Sequence, residues 1–206
     1  MSYIFSSKPQ MTPSPVPAMP TPPAAPQLTG LPPVVSAGTR VLILGSFPGV
    51  ASLRAGQYYG HPQNQFWRIL QALWPGQPQP GPGDYAGRCA WLLERGLGLW
   101  DVYAACEREG SLDADIRNAV VNDFAALRAA VPALAAIAHN GGESFRHARA
   151  VRASLGLPPQ DAGGEGAIAS LRLPSTSPAN ASWSFERKCA AWAEALAPFG
   201  LLDGCD

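Results

Sequence analysis

The stretch "RVLILGSFPG" spans Arg40–Gly49. Val41 to Leu44 is an unbroken apolar run that stops at Gly45. A run this short, closed by a turn residue, predicts a strand buried on both faces, as in a parallel sheet. Three more runs share its character: "LGLWDVY" (Leu97–Tyr103), "ALAAIAHNGG" (Ala133–Gly142) and "GAIASLRLPS" (Gly166–Ser175). The segments between them have helical spacing. In "NQFWRILQALW" (Asn64–Trp74), Phe66, Ile69, Leu70 and Leu73 fall on one face. "YAGRCAWLLERG" is a helix stopped by Gly96, and "NDFAALRAAVP" opens with Asn122 as a cap. "ESFRHARAVRASLG" and "WSFERKCAAWAEALAPF" complete the set, while "PGQPQPGPGD" (Pro75–Asp84) and "ACEREGSLDADI" (Ala105–Ile116) are loops by composition. Strand–helix alternation predicts an α/β fold: a central four-stranded, mainly parallel sheet flanked by helices, with right-handed crossovers.

The bulk composition narrows the function. The chain has 206 residues and a formal net charge of zero, which argues against binding nucleic acid by bulk charge alone. Residues 1–36 hold ten of the 22 prolines, no acid and one lysine, Lys8. Such a segment buries too little apolar surface to offset its ordering entropy, so it is expected to be a disordered tail, with one domain over 37–206. It lacks the apolar run of a signal peptide, and no stretch has the ~20 apolar residues of a membrane span. Cys89, Cys106, Cys189 and Cys205 make no C-x-x-C pair, so free thiols in a reduced, cytoplasmic setting are expected, with no metal. Of the basic residues, only Lys8 and Lys188 are lysines.

In a parallel sheet the ligand site lies beyond the carboxyl ends of the strands. The unusual residues gather there. "GSFPG" allows close backbone approach but is neither a Walker loop nor a G-x-G-x-x-G turn. Tyr58 and Tyr59 can plug the surface or offer a flat ring to a planar base. Asn64 can cap a helix or present donor and acceptor to a pocket, and Asn140, in "HNGG", is a turn residue or a second such amide. His61 reads as a hydrogen-bonding residue at the helix entry. "LPSTSPAN" offers the hydroxyls of Ser175, Thr176 and Ser177 before a helix, suited to phosphate, and a stiff tip at Pro178, Ala179 and Asn180. No Ser-His-Asp, H-E-x-x-H or paired-carboxylate pattern occurs. This set recognises a flat polar ligand and orients water.

"GSFPGVASLRAGQYYGHPQNQFW", "LWDVY", "REGSLD" and "LPSTSPAN", in this order over about residues 40–199, resemble the uracil-DNA glycosylase superfamily, and within it the hypoxanthine-DNA glycosylase (deoxyinosine glycosylase) family. The resemblance implies a three-layer sandwich and a glycosylase acting on DNA, without cofactor or metal; a monomer is expected, and the lack of a lysine near the motifs makes it monofunctional, since a Schiff base needs an amine. It implies Asn64 as the catalytic water-holding residue. Ser46, Phe47, Tyr59 and Asn140 would form the base pocket, and Ser175, Ser177, Pro178, Ala179 and Asn180 would contact DNA. In uracil-specific relatives the turn carries an Asn or Asp that positions the water. Phe47 stands there in this chain, which shifts that role to Asn64 and the substrate from uracil towards hypoxanthine. A broader uracil or xanthine glycosylase, a catalytically weak damaged-DNA binder and a flavodoxin-like small-molecule domain are the alternatives.

Overall fold

The computed structural model describes residues 27–158 and 167–202. Its strands are β1 (Gln27–Thr29), β2 (Val41–Gly45), β3 (Leu97–Asp101), β4 (Tyr103–Glu107), β5 (Arg117–Val121), β6 (Ala136–Asn140) and β7 (Ala169–Leu173). Its helices are α1 (Val50–Ala55), α2 (Phe66–Leu73), α3 (Tyr85–Glu94), α4 (Phe124–Arg128), α5 (Gly142–Arg146), α6 (Ala148–Ser154) and α7 (Phe185–Leu196). The four apolar runs form one parallel sheet in the order β3-β2-β6-β7. All of β2 and β3 is buried, as strands covered on both faces must be.

Helix α2 buries Phe66, Trp67, Ile69 and Leu70. Phe66 meets Trp192 of α7 edge-on, with ring centroids 5.8 Å apart. Trp74 and Trp91 make a second edge-to-face pair that ties the end of α2 to α3. Of the predicted thiols, Cys106 is buried and Cys89 and Cys189 are half-buried, all free; Cys205 lies outside the described residues. Among the described residues no helix is long and apolar enough to cross a membrane.

From β2 the chain moves to β3 on one side, then crosses to β6 on the other. The order therefore reverses at β2, and this switch point is where a parallel sheet opens a crevice at its strand ends. The ends converging there are Gly45, Asp101, Asn140 and Leu173.

The structure departs from the expected pattern at a second sheet. Strands β1, β4 and β5 pair antiparallel in the order β1-β4-β5. Residues 105–107 and 117–121, read as polar loop or left unassigned, are strand here. Tyr103 and Cys106 supply two buried anchors, and β5 is an exposed edge strand with irregular register. With so few inward residues, no apolar run marks these strands.

The expected tail boundary at residue 36 is also corrected. Residues 1–26 lie outside the described residues, but Gln27–Thr29 pairs with β4 and Val34 bridges Leu99 through two backbone hydrogen bonds of 2.9 and 2.8 Å. That bridge covers the free edge of β3, which would otherwise offer unpaired amides to another chain. Gly98 permits the approach: a Cβ there would meet Thr39 Cγ2 at 2.8 Å and Val35 Cγ1 at 3.1 Å. Tyr58 locks the segment down by donating its hydroxyl to the carbonyls of Leu31 and Pro32. A chain beginning at Ala37 should therefore be less stable than one beginning at Gln27, by at least about 3 kcal/mol from the two Val34 bonds and the Tyr58 hydroxyl at ~1 kcal/mol each. Thermal melts should differ by ~6–12 °C; equal melting temperatures would show that residues 27–36 add nothing.

Candidate active site

A cleft of about 590 Å³ opens beyond the strand ends, lined by Gly45, Ser46, Phe47, Tyr59, Asn64, Asp101 and Asn140. Its rim includes Ser111, Leu112 and Asp113 on one loop and Ser175 to Asn180 on another. Each residue that the sequence marks for catalysis, base binding or DNA contact thus faces one cavity.

Tyr59 is the backbone outlier of the site. Its φ of 55° lies in the left-handed region, which costs a non-glycine residue ~1–3 kcal/mol. Two contacts hold it. Its ring stacks on Phe66 at 3.9 Å between centroids, and its hydroxyl accepts from Asn140 Nδ2 at 3.1 Å. Phe66 thus covers one face of a ring that lines the cleft. Tyr58 takes the structural part: it is 3% exposed, and its carbonyl accepts from Trp67 Nε1.

Asn64 lies one residue before the α2 N-cap, which is Gln65 and makes no side-chain cap bond, so the cap reading is corrected. Its Oδ1 accepts from Phe66 N–H at 3.0 Å, an Asx-type bond in the turn that enters α2. That bond fixes the side chain and leaves the amide N–H groups without a partner among the described residues. Beside it, Gln65 N–H donates to the Thr176 carbonyl at 3.0 Å, tying the Asn64 segment to the "LPSTSPAN" loop. His61 is exposed, and its Nδ1 accepts from Gln63 N–H, a local turn contact.

Asn140 is committed to other protein groups. Nδ2 donates to Tyr59 Oη and to Thr176 Oγ1 (2.9 Å), and Oδ1 accepts from Thr176 N–H (3.0 Å). The residue expected to read a base edge is therefore the clamp that sets Tyr59 against the Ser-Pro loop. Ser46 is likewise engaged, donating to Asp113 Oδ1 at 2.6 Å. Phe47 is 6% exposed with the Arg108 guanidinium 5.1 Å from its ring centroid. Arg108 also donates to the Pro48 carbonyl, so it braces the "GSFPG" turn from behind.

The Ser-Pro loop is knitted internally. Ser175 Oγ accepts from Ser177 N–H, Ser177 Oγ accepts from Ala179 N–H, and Asn180 Nδ2 donates to the Ser175 carbonyl. Both serine oxygens act as acceptors, which leaves their O–H protons to donate outward. Pro178 and Ala179 are exposed at the tip.

The sequence reading missed Asp101. One acid inside "LWDVY" carries no pairing signal, because its relation to Gly45 exists only across the sheet. It is 4% exposed, and its Oδ2 has no hydrogen-bond partner among the described residues. Burial, reinforced by the nearby Asp113, pushes its carboxyl up to about 8 against the opposing pull of Arg108. Thr176, fully buried at the centre of the Asn140 contacts, was noted only as one hydroxyl among three. Lys188 does not line the cleft, and Lys8 lies outside the described residues. Among the described residues no group of three or more His, Cys, Asp or Glu could hold a metal ion.

Replacing Asn140 by Ala should leave the Thr176 amide and hydroxyl without their partners. The expected cost is about 2–3 kcal/mol of stability, measured by urea unfolding. A loss below ~0.5 kcal/mol would remove Asn140 from its clamping role.

The comparisons with known proteins agree with this geometry. Residues 32–199 match the model of the uracil DNA glycosylase superfamily. A "Hypoxanthine DNA glycosylase" of Methanosarcina barkeri is 40% identical over 124 residues, 60% of this chain and 77% of that protein. A second protein of that name, from Methanosarcina acetivorans, is 41% identical over 112 residues, 54% of this chain and 70% of its own length. The solution NMR structure of a Methanosarcina acetivorans protein described as a candidate uracil DNA glycosylase superposes with a TM-score of 0.66 at 32% identity, covering 86% of this chain and 99% of that one. With its strand-end cleft and a family match running from the edge-covering segment at Pro32 to Phe199, this chain belongs to the uracil DNA glycosylase superfamily.

Proposed function

We propose that this chain is a DNA-repair glycosylase that hydrolyses the N-glycosidic bond of deoxyinosine, releasing hypoxanthine and leaving an abasic site. The observation that carries the reading is the placement of Asn64. It is anchored to the first turn of α2, has amide N–H groups to spare, and lines the same cleft as Tyr59 and Phe47. The two curated relatives named hypoxanthine DNA glycosylase support the choice of base.

The chemistry follows from that set. Hypoxanthine pairs weakly in duplex DNA, so its extrusion costs less than that of an ordinary base. The flipped base lies against Tyr59 with Phe47 at its side. Ser175 and Ser177 donate hydroxyl protons to phosphates, and the Pro178–Asn180 tip enters the vacated stack. The C1′–N9 bond breaks with oxocarbenium character. Asn64 then orients the water that adds to C1′; an amide is a weak base, but the cation is a strong electrophile and orientation suffices. A monofunctional reaction fits because a Schiff base needs an amine, and Lys188 is away from the cleft. The reaction as drawn needs neither metal nor cofactor, and the chain works as a cytoplasmic monomer.

Duplexes carrying deoxyinosine, uracil or xanthine, treated with the protein and then with alkali, test the substrate. Cleavage should be strongest at deoxyinosine. Efficient cutting at uracil with none at deoxyinosine would reverse the assignment, and stable binding without cleavage would mark a damage-recognition protein. A pair of substitutions separates the two uses of Asn64. Asn64→Ala should lose about 100-fold in single-turnover rate and ~1 kcal/mol of stability while DNA affinity holds. Asn64→Ser retains a side-chain acceptor for the Phe66 amide, so it should recover the stability but not the rate. Near-normal excision by Asn64→Ala would refute the catalytic role.

A further inference from the structure

Asp101 ends β3 as the register partner of Gly45 at the end of β2. A Cβ at Gly45 would lie 2.3 Å from Asp101 Oδ1 and 3.7 Å from the Tyr59 hydroxyl. Glycine at that strand end is therefore what lets the carboxyl fold over β2 beside the base-stacking ring. Asp101 lines the cleft, and its buried Oδ2 has no hydrogen-bond partner among the described residues. An enclosed, unpaired carboxyl costs free energy, and such groups cluster where a ligand completes them. The charged and titratable groups facing it are Tyr58 and Tyr59 from the loop before α2, Tyr85 from α3, Asp113 from the turn after β4, and Arg108 at the end of β4. Two other polar side chains of the base pocket have protein partners: Asn140 donates to Tyr59 and Thr176, and Ser46 to Asp113.

We infer that Asp101, as the neutral carboxylic acid, is the hydrogen-bond donor to the departing base. This rests on the glycosylase reading of the cleft. When the C1′–N9 bond breaks, its electron pair leaves with the base, and negative charge spreads onto O6 and the ring nitrogens. An O–H donor held against one of those atoms stabilises the charge, whereas an ionised carboxylate would repel it. The water supplies oxygen to C1′ and releases one proton, and the base gains one, so the carboxyl is unchanged over a turnover. Burial holds Asp101 protonated up to about pH 8, so the donor form prevails at neutral pH.

The test is single-turnover excision from a deoxyinosine duplex by the full chain, Asp101→Asn and Asp101→Ala between pH 6 and 9.5. The wild-type rate should be level below about pH 8 and fall roughly tenfold per unit well above it, as the donor ionises. Asp101→Asn keeps an N–H donor that does not titrate, so it should retain part of the rate at pH 7 and lack the alkaline fall. Asp101→Ala should lose about 100-fold at pH 7. An alkaline fall in Asp101→Asn equal to that of the wild type would overturn the inference, as would an Asp101→Ala rate within threefold of wild type. If Asp101→Ala does not fold, the wild-type and Asp101→Asn profiles decide the matter. Absence of excision by the wild type at every pH would instead refute the glycosylase reading itself.

Discussion

Three hydrogen bonds from the Asn140 side chain set the geometry on which the cleft depends. They hold Tyr59 Oη and both polar groups of Thr176. Through the Thr176 carbonyl the connection reaches Gln65, next to Asn64. Tyr59, Asn64 and the Ser-Pro loop come from sequence segments far apart, yet one residue at the end of β6 links them. Such a network is stiff because its bonds are at least partly buried and each partner loses much if released. It also supports the strained backbone of Tyr59, which persists because its surroundings leave it no alternative.

The electrostatics of the cleft suit a reaction that develops charge in two places. The sugar becomes cationic while the base becomes anionic. Burial raises the Asp101 carboxyl to about 8, which lowers the negative charge beside Tyr59 at neutral pH. A formal net charge of zero leaves DNA affinity to local contacts rather than bulk charge. Affinity of this kind depends less on salt than that of a strongly basic protein.

What was legible in the sequence follows from where the signals lie. The parallel sheet could be read because β2 and β3 are buried throughout, so each appears as an apolar run between turn residues. The smaller sheet could not, because β4 turns only Tyr103 and Cys106 fully inward and β5 is exposed. Composition alone assigned residues 27–36 to a tail, yet Val34 covers the β3 edge by backbone bonds that any residue but proline can make. In the site, Tyr59, Asn64 and the Ser-Pro loop were visible as polar or aromatic residues at strand ends. Asp101 was not, since its meaning depends on its neighbour across the sheet. Asn140 was visible as an amide, but only the fold reveals that its hydrogens are committed to Tyr59 and Thr176.

The central claim is that this cleft breaks one bond, between base and sugar, and no other. Mass spectrometry of a deoxyinosine duplex after incubation, without alkali, tests it most directly. The account predicts free hypoxanthine in equal amount to an unbroken strand carrying one abasic sugar. Recovery of the intact deoxyinosine strand with no free base would contradict it, as would strand scission without added alkali.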